Sequence, residues 1–473
     1  MKKFFAILMA ICMMASMLCV PAFAAESADE LPAPPAGTVL RITAMKGDSI
    51  ELVGDHTNFE DGWNAAMVLA GSSREMKNKG YDSVVVYIYA NLNPSAWGNI
   101  EIPENARVTL NMNGYTLNRD LLRFDGVYGG EAMYISSDAD VIINDGTITG
   151  GSSSDGAGGI HIKSDARVVL NNVNVVGNHS EGSNGSGIAV KSGAVLVMNG
   201  GSLSENTMTE DNYMVYIRYP YGILYACDAT VTLNNVTIND NRAGTRNGEG
   251  MAIYADDSTV TLNNCVVSNN ACDGNGGYAE SVIGAVDSKL FINNTDFTGN
   301  GAVSSKADID YSHLFYLEDS ELTMEGGKIT GNKADKLFYF DDSKADLKGV
   351  TITDNESVVF DVDNSSAKVT LTECTLGNNS PVKYDEDIIV DTKGTLSMIN
   401  CDLGDTTFED KGMVTFSGGA RRYGSIFGEG SLTMIVAILA LASSAVSIFL
   451  TVYYNKKKAV PVAANNATEA DEE

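Results

Sequence analysis

The sequence predicts an all-β fold, a right-handed parallel β-helix of about ten to eleven coils with an N-terminal helical cap, followed by one transmembrane helix. Two observations predict the solenoid. One unit recurs along most of the chain at intervals of roughly 23 to 36 residues. Each recurrence alternates apolar and polar residues with the period of a β-strand. A third observation, an uncharged hydrophobic stretch near the C-terminus, predicts the membrane span.

The repeated unit consists of a strand of the form V-x-L, a bend and a second short strand. The bend position holds mostly Asn or Gly, which tolerate left-handed backbone conformations at little cost. We therefore predict a sharp left-handed bend at this position in every unit. The bend residues are Asp145, Asn172, Gly200, Asn235, Asn264, Asn294, Gly326, Gly349, Glu373 and Asn400.

Two further elements complete each predicted coil. An asparagine usually closes the second strand, and a third strand, as in residues 314–317, precedes the unit across a polar turn. Three strands per coil, each stacked on its equivalents, make a parallel β-helix. No helix-length periodic segment lies between the units, which excludes leucine-rich horseshoes and α-solenoids. The closing asparagines are Asn178, Asn206, Asn241, Asn270, Asn300, Asn332, Asn355 and Asn379.

This repeat resembles the pectin lyase-like superfamily of right-handed parallel β-helices. The resemblance implies the fold and, by analogy, a ligand surface along one outer sheet flanked by the longest loops; it does not imply an activity. The long connections predict a groove over the middle coils, although loops tolerate insertions without any function. These connections are residues 179–186, 207–222, 242–250, 270–280 and 301–312.

The two ends of the chain predict export and anchoring. A basic start, an apolar run and the small residues Ala22 and Ala24 are typical of a cleaved secretory signal. Residues 432–454 are uncharged and long enough to span a bilayer, and the lysines at 456–458 mark the cytoplasmic side. We expect a single-pass type I protein of the cell membrane with an extracellular ectodomain. The predicted divisions are a signal peptide (1–24), a flexible segment (25–38), the cap with its helix (39–100), the β-helix (101–415), a linker (416–430), the transmembrane helix (431–454) and a cytoplasmic tail (455–473).

Charge and cysteine content restrict the partners and the compartment. The net charge of −29 argues against nucleic acid as a partner. Five cysteines remain after the signal peptide, and their spacing fits neither a metal site nor a disulfide framework. We interpret Cys265, Cys374 and Cys401 as apolar packing residues, not as metal ligands or disulfide partners. A sparse, odd number of thiols in an exported chain favours a Gram-positive bacterium.

A tyrosine-rich insertion is the most distinctive candidate for ligand binding. Aromatic faces beside a cation suit stacking on sugar rings or on the side chains of a surface protein. Packing of these rings on the solenoid is the alternative interpretation. The candidate residues are Tyr213, Tyr216, Arg218, Tyr219 and Tyr221.

Aspartates recur in the polar turn before each unit. Stacked coils would place these carboxylates in a column, where calcium could relieve their mutual repulsion. Aspartate is also a good turn residue because it hydrogen-bonds to its own backbone, and we favour this structural reading. The candidate metal ligands are Asp257, Asp287, Asp319 and Asp342, and no other cofactor is indicated.

Signals of catalysis are incomplete. Polygalacturonase-like β-helices use N-T-D, a pair of aspartates and G-H-G, whereas here Asn294-Thr295-Asp296 lies within a regular repeat and no G-H-G occurs. We therefore favour a non-catalytic, adhesin-like or scaffolding surface protein that binds a glycan or a surface protein. The alternative is a cell-tethered polysaccharide lyase or glycoside hydrolase that acts on acidic or plant-type polysaccharide.

Overall fold

The computed structural model describes residues 31–94, 100–121, 130–154, 156–181, 185–209, 222–244, 251–272, 280–302, 312–380, 390–404, 406, 408–410, 413–418 and 421–422. The chain forms two units, Met1–Arg421 and Arg422–Glu473, and the following description concerns the first. The predicted signal peptide, transmembrane helix and cytoplasmic tail lie outside the described residues. Within the described ranges, no helix is both long enough and apolar enough to cross a membrane.

The N-terminal region is a small mixed structure. Strands β1 (Leu40–Lys46) and β2 (Ser49–His56) form an antiparallel hairpin. Two helices follow, α1 (Phe59–Gly71) and α2 (Ser73–Lys79). Strand β3 (Ser83–Ile88) then pairs antiparallel with β1 and parallel with the first strand of the stacked coils, so it joins the two parts.

Local capping and apolar burial explain the position of α1. The side chain of Asn58 accepts a hydrogen bond from the Asp61 N–H at 3.0 Å, which satisfies one of the free donors of the first turn. Phe59 and Trp63 stack with their ring centroids 5.7 Å apart, and they line a small void together with Leu110 and other core residues. The apolar face of α1 thus packs against core residues of the first coil strands.

Apart from Asp140–Thr149 and Arg167–Val176, which run through the bends at Asp145 and Asn172, the strands of the N-terminal coils are short. They are β4 (Glu101–Ile102), β5 (Arg107–Asn111), β6 (Thr116–Asn118), β7 (Met133–Ile135), β8 (Asp140–Thr149), β9 (Ser152–Ser153), β10 (Ile160–Ile162), β11 (Arg167–Val176), β12 (His179–Glu181), β13 (Ile188–Val190), β14 (Val195–Asn199), β15 (Ser202–Ser204), β16 (Thr207–Thr209), β17 (Leu224–Cys227), β18 (Thr230–Asn234), β19 (Thr237–Asn239), β20 (Arg242–Gly244), β21 (Ile253–Asp256), β22 (Thr259–Asn263), β23 (Val266–Ser268), β24 (Ala271–Cys272), β25 (Glu280–Val286), β26 (Lys289–Asn293), β27 (Asp296–Thr298) and β28 (Gly301–Ala302).

The strands of the C-terminal coils include two that continue through a corner without a break, β32 and β35. The series is β29 (Ser312–Glu318), β30 (Glu321–Glu325), β31 (Lys328–Thr330), β32 (Lys333–Asp341), β33 (Lys344–Lys348), β34 (Thr351–Thr353), β35 (Glu356–Val362), β36 (Lys368–Thr372), β37 (Thr375–Gly377), β38 (Val390–Thr392), β39 (Thr395–Ile399), β40 (Asp402–Gly404), β41 (Phe408–Asp410), β42 (Met413–Ser417) and β43 (Arg421–Arg422).

The coils stack in parallel and in register. Val231 of β18 pairs with Val260 of β22, which pairs with Leu290 of β26, and the same spacing continues along the stack. The described strands form a 25-stranded sheet, which holds the V-x-L strands and those after the bend, and an 18-stranded sheet, which holds the others. Because side chains alternate along a strand, every second residue points into one continuous apolar core.

All the bend residues have left-handed backbone. Their φ angles range from 46° at Asn294 to 68° at Gly200. Two further corners of the coil are also left-handed. One is the aspartate corner before the V-x-L strand, as at Asp257, and the other directly precedes the closing asparagine, as at Asp240. Asn, Asp and Gly occupy most of these corners because they adopt this conformation more easily than other residues.

The closing asparagines form a continuous buried ladder. Asn241 donates from its backbone N–H and from Nδ2 to Oδ1 of Asn270, at 3.3 and 2.8 Å, and Asn270 makes the same two bonds to Asn300. Each Nδ2 also donates to a core-strand carbonyl, as from Asn270 to Ile238 at 2.9 Å. The amides therefore satisfy backbone groups at a buried corner, and they link each coil to the next.

A second amide ladder lies on the outside of the N-terminal coils. Asn263 donates from Nδ2 to Oδ1 of Asn234 at 2.8 Å and accepts from Asn293 at the same distance. This outer ladder ends at β26, because Glu325 and Lys348 occupy the equivalent positions in the next coils.

The core changes character along the stack. On the strand before the aspartate corner, the interior position is aliphatic through Ile253 and Ile283. It then becomes Phe315, Phe338 and Phe360, whose rings stack with centroids 4.7 and 5.1 Å apart. The C-terminal coils thus have an aromatic core where the N-terminal coils have an aliphatic one.

Candidate functional site: the outer column

One register position on the outside of the 18-stranded sheet collects aromatic and ionisable side chains. Its neighbours along each strand point into the core, so this position faces outward. We call this series the outer column. It consists of Tyr134, His161, Ala189, Tyr225, Tyr254, Gly284, Tyr316, Tyr339 and Asp361.

The first group in the outer column is a carboxylate–imidazole pair. Nδ1 of His161 lies 3.1 Å from Oε1 of Glu131, and the His161 ring meets Tyr134 edge to face at 5.3 Å. Burial opposes ionisation of Glu131, but the hydrogen bond to His161 and the charge of Lys163 outweigh it and lower the pKa of the carboxyl. Nε2 of His161 is buried and has no hydrogen-bond partner among the residues that the structure describes. The pair is therefore oriented like a general base and its positioning carboxylate.

A lysine lies beside the second group of the column. Nζ of Lys191 is 4.3 Å from the centroid of the Tyr225 ring, and this ring stacks on Tyr254 at 6.1 Å. Burial and repulsion by Lys163, which outweigh attraction to Cys227, lower the pKa of Lys191 to about 8. A lysine with such a pKa can exchange a proton near neutral pH.

The third group is a closely packed network around Tyr316 and Tyr339, which stack at 5.4 Å. Nζ of Lys336 lies 2.5 Å from a carboxylate oxygen of Asp361 and 5.3 Å from the centroid of Tyr339. His313 packs against both tyrosines. Its burial and the nearby Lys336 lower the pKa of His313 to about 3, so the ring is neutral at pH 7.

Three of the five tyrosines of the outer column are poorly accessible, whereas Tyr134 and Tyr339 are half-buried. Tyr225, Tyr254 and Tyr316 expose only 5, 6 and 7% of their surface. Their ring faces are largely covered by one another or by neighbouring side chains. These three rings are therefore packed against neighbouring side chains and leave little free face on which a ligand could stack.

Comparison with known proteins supports the fold. Residues 221–403 match the family model described as a right-handed beta helix region. The chain is a parallel β-helix repeat protein. Neither the curated proteins nor the solved structures include a significant match to it. The predicted β-helix is thus confirmed, both by the family match and by the long parallel sheets.

The aspartates considered as calcium ligands form corners of the β-helix. Asp257, Asp287, Asp319 and Asp342 have φ angles of 47°, 48°, 49° and 47°. No group of three or more metal-ligating side chains occurs within the ranges that the structure describes. The left-handed backbone explains why aspartate occupies these corners. Calcium binding stays a prediction.

The catalytic motif candidates are also part of the backbone framework. Asn294 is a bend residue, and Oγ1 of the buried Thr295 accepts a hydrogen bond from the Cys265 N–H at 3.2 Å. Asp296 accepts a hydrogen bond from the Lys328 N–H at 3.0 Å. The Asn-Thr-Asp sequence therefore joins neighbouring coils and does not form an open acid–base pair.

The predicted ligand-binding residues Tyr213, Tyr216, Arg218, Tyr219 and Tyr221 lie outside the described residues. Their insertion leads directly into β17, which carries Tyr225 of the outer column. The sequence analysis did not predict the outer column. The usable signal was the recurrence of Tyr at the middle of the third strand, as in Tyr254, Tyr316 and Tyr339.

Proposed function

We propose that this β-helix is a non-catalytic binding or scaffolding protein of the cell surface, adhesin-like in role. One observation carries the proposal: side chains that a β-helix hydrolase would use for acid–base chemistry instead hold the backbone corners and the bonds between coils. The stacked coils then serve as a rigid support, and the long connections carry the contacts with a glycan or a surface protein.

The tyrosine-rich insertion is the proposed contact region. In the sequence it directly precedes β17, whose Tyr225 stacks on Tyr254 of β21 and lies under Nζ of Lys191. Aromatic faces beside a cation suit stacking on sugar rings, so we place the ligand contacts at Tyr216 and Tyr219.

A glycan array probed with the full-length chain in detergent tests this proposal. We expect the double variant Tyr216→Ala/Tyr219→Ala to lose retention on the array with an unchanged circular dichroism spectrum. Tyr384→Ala, in a different connection, is the matched control and should retain wild-type binding. Equal retention by the double variant and the wild type would refute the role of the insertion.

The proposed location follows from the predicted ends of the chain. The signal peptide and the membrane span would place the β-helix outside the cell, anchored by one C-terminal helix. Protease added to intact cells should then remove the β-helix and leave the tail protected. Full protection of the β-helix in intact cells would contradict this topology.

A second candidate function, polysaccharide cleavage, is favoured by one cluster. Glu131, His161 and Lys191 lie on one outer face, and two of them have pKa values shifted by burial and neighbouring charges. Incubation with uronic-acid polymers would then release unsaturated products or reducing ends, and His161→Ala would abolish this release. Absence of release by the wild-type chain would eliminate the candidate without affecting the binding proposal.

A further inference from the structure

Two cysteines occupy equivalent positions in neighbouring coils. Thr372 pairs with Ile399, and Thr375 pairs with Asp402, so that Cys374 and Cys401 between them share one register position. The Asp402 N–H donates to the Cys374 carbonyl oxygen at 2.9 Å, which holds the two backbones together at this point. Both cysteines are 1% exposed and belong to the apolar core.

The spacing of these positions suits a covalent bond. Adjacent strands in a sheet lie about 4.8 Å apart, within the range of about 4.4–6.8 Å between Cα atoms that disulfides require. Sγ of Cys374 donates to the Thr372 carbonyl oxygen at 3.5 Å, and Sγ of Cys401 donates to the equivalent Ile399 carbonyl oxygen at the same distance. The interaction of the two thiols lowers the pKa of Cys401 to about 6 in spite of burial, and it raises the pKa of Cys374. A more readily ionised thiol attacks a disulfide more readily, because the thiolate is the nucleophile.

Cys265 provides an internal comparison. It occupies the same slot after the bend and is equally buried, but its register neighbours are Val236 and Thr295. Burial raises the pKa of its thiol, and no second thiol lies beside it in the stack. The pairing of Cys374 with Cys401 is therefore a property of these two coils and not of the slot itself.

We propose that Cys374 and Cys401 form a disulfide that links two successive coils near the C-terminal end of the described β-helix. The oxidant is a small or protein disulfide. A thiolate of the pair attacks it to give a mixed disulfide and releases one thiol; the second cysteine displaces the other thiol and closes the Cys374–Cys401 bond. Two cysteine S–H bonds are lost, and the oxidant is reduced to two thiols.

The bond would act on the least supported part of the stack. In a solenoid each coil is stabilised mainly by its immediate neighbours, so terminal coils open first. Such opening also admits the oxidant to these buried sulfurs. Once formed, the bond closes the loop between residues 374 and 401 and restricts the opened and unfolded chain. The proposed export of the chain would supply an oxidising environment.

Thiol mapping of the full-length chain tests the proposal. Samples refolded with oxidised glutathione or with a reductant are alkylated in denaturant, digested and analysed by mass spectrometry. We expect the oxidised sample to contain a linked pair of peptides with Cys374 and Cys401, while Cys265 is alkylated in both samples. Alkylation of Cys374 and Cys401 in both samples, or a link that involves Cys265, would overturn the proposal.

Thermal unfolding gives a second readout. The oxidised chain should melt about 5 °C above the reduced chain. Cys374→Val, which introduces the residue found at Val350 in the preceding coil, should remove this difference, whereas Cys265→Val should preserve it. If the difference persists in Cys374→Val, the stabilisation has another origin and the inference fails.

Discussion

The N-terminal and C-terminal coils share one repeat but differ in the residues that fill the core and line the outer face. Between β10 and β28 the core is largely aliphatic, an outer amide ladder accompanies the buried one, and the sequence places long connections between coils. Between β29 and β37 stacked phenylalanines fill the core and charged residues replace the outer amides. The buried asparagine ladder is common to both regions. The buried amides thus accompany coil stacking in both regions, whereas the composition of the core and of the outer face varies.

The largest expected difference between the regions is in the core. Phe338→Ala should lower the free energy of unfolding by about 3–5 kcal/mol, because it leaves a cavity between Phe315 and Phe360. Ile253→Ala, at the equivalent position of the aliphatic region, is the matched control. Its loss should be smaller by about 1 kcal/mol, since no ring stacking is lost. Urea denaturation measures both values, and an equal or greater loss for Ile253→Ala would contradict a special role for the aromatic stack.

Removal of one amide from the buried ladder should lower the free energy of unfolding in either region. Asn270→Ala leaves the buried backbone N–H of Asn241 without its acceptor, and we expect a loss of about 2–4 kcal/mol. Asn263→Ala, on the outer ladder, should cost only about 0.5–1.5 kcal/mol because water can replace its partners. Similar losses of unfolding free energy for the two variants, measured by urea denaturation, would show that the buried ladder stabilises the protein no more than the outer one.

The bends should be sensitive to side-chain branching. Asn235 has a φ of 55°, and Asn235→Val should cost about 1–2 kcal/mol because a β-branched residue is strained there. Thr237→Val, two residues later in an extended strand, should change stability by less than about 0.5 kcal/mol. Differential scanning calorimetry compares the two variants. A tolerated valine at position 235 would indicate that the bend can relax.

The last expected effect concerns the pH dependence contributed by a histidine of the C-terminal coils. In the unfolded chain His313 takes up a proton near its ordinary pKa of 6.5, whereas the folded chain resists protonation until about pH 3. Its contribution to stability is therefore complete above pH 6.5 and is lost as the pH falls towards 3. His313→Gln should reduce the loss of stability between pH 7 and pH 5. An unchanged pH dependence, followed by urea midpoints, would assign the loss to other groups.

Much of the fold could be predicted because its signals are local. The V-x-L strands follow from alternation, and the bends follow from residues that tolerate positive φ, as at Asn235 and Gly349. The closing asparagines were recognised as a pattern, but their burial and mutual hydrogen bonds were not predicted. The candidate site was less predictable, since the outer column combines residues from coils separated by connections of unequal length.

The sequence by itself determined that this protein is a parallel β-helix, because each coil repeats the same short-range alternation and the same conformational choice at its bend. Only the tertiary structure decided which side chains of different coils meet. Equivalent positions of successive coils lie above one another although the connections differ in length, and the repeat pattern does not show which of their side chains form bonds. Stacking places Asn241 beside Asn270, His161 beside Glu131 and Cys374 beside Cys401. The contacts that could give the molecule a function therefore arise from the stacking of coils.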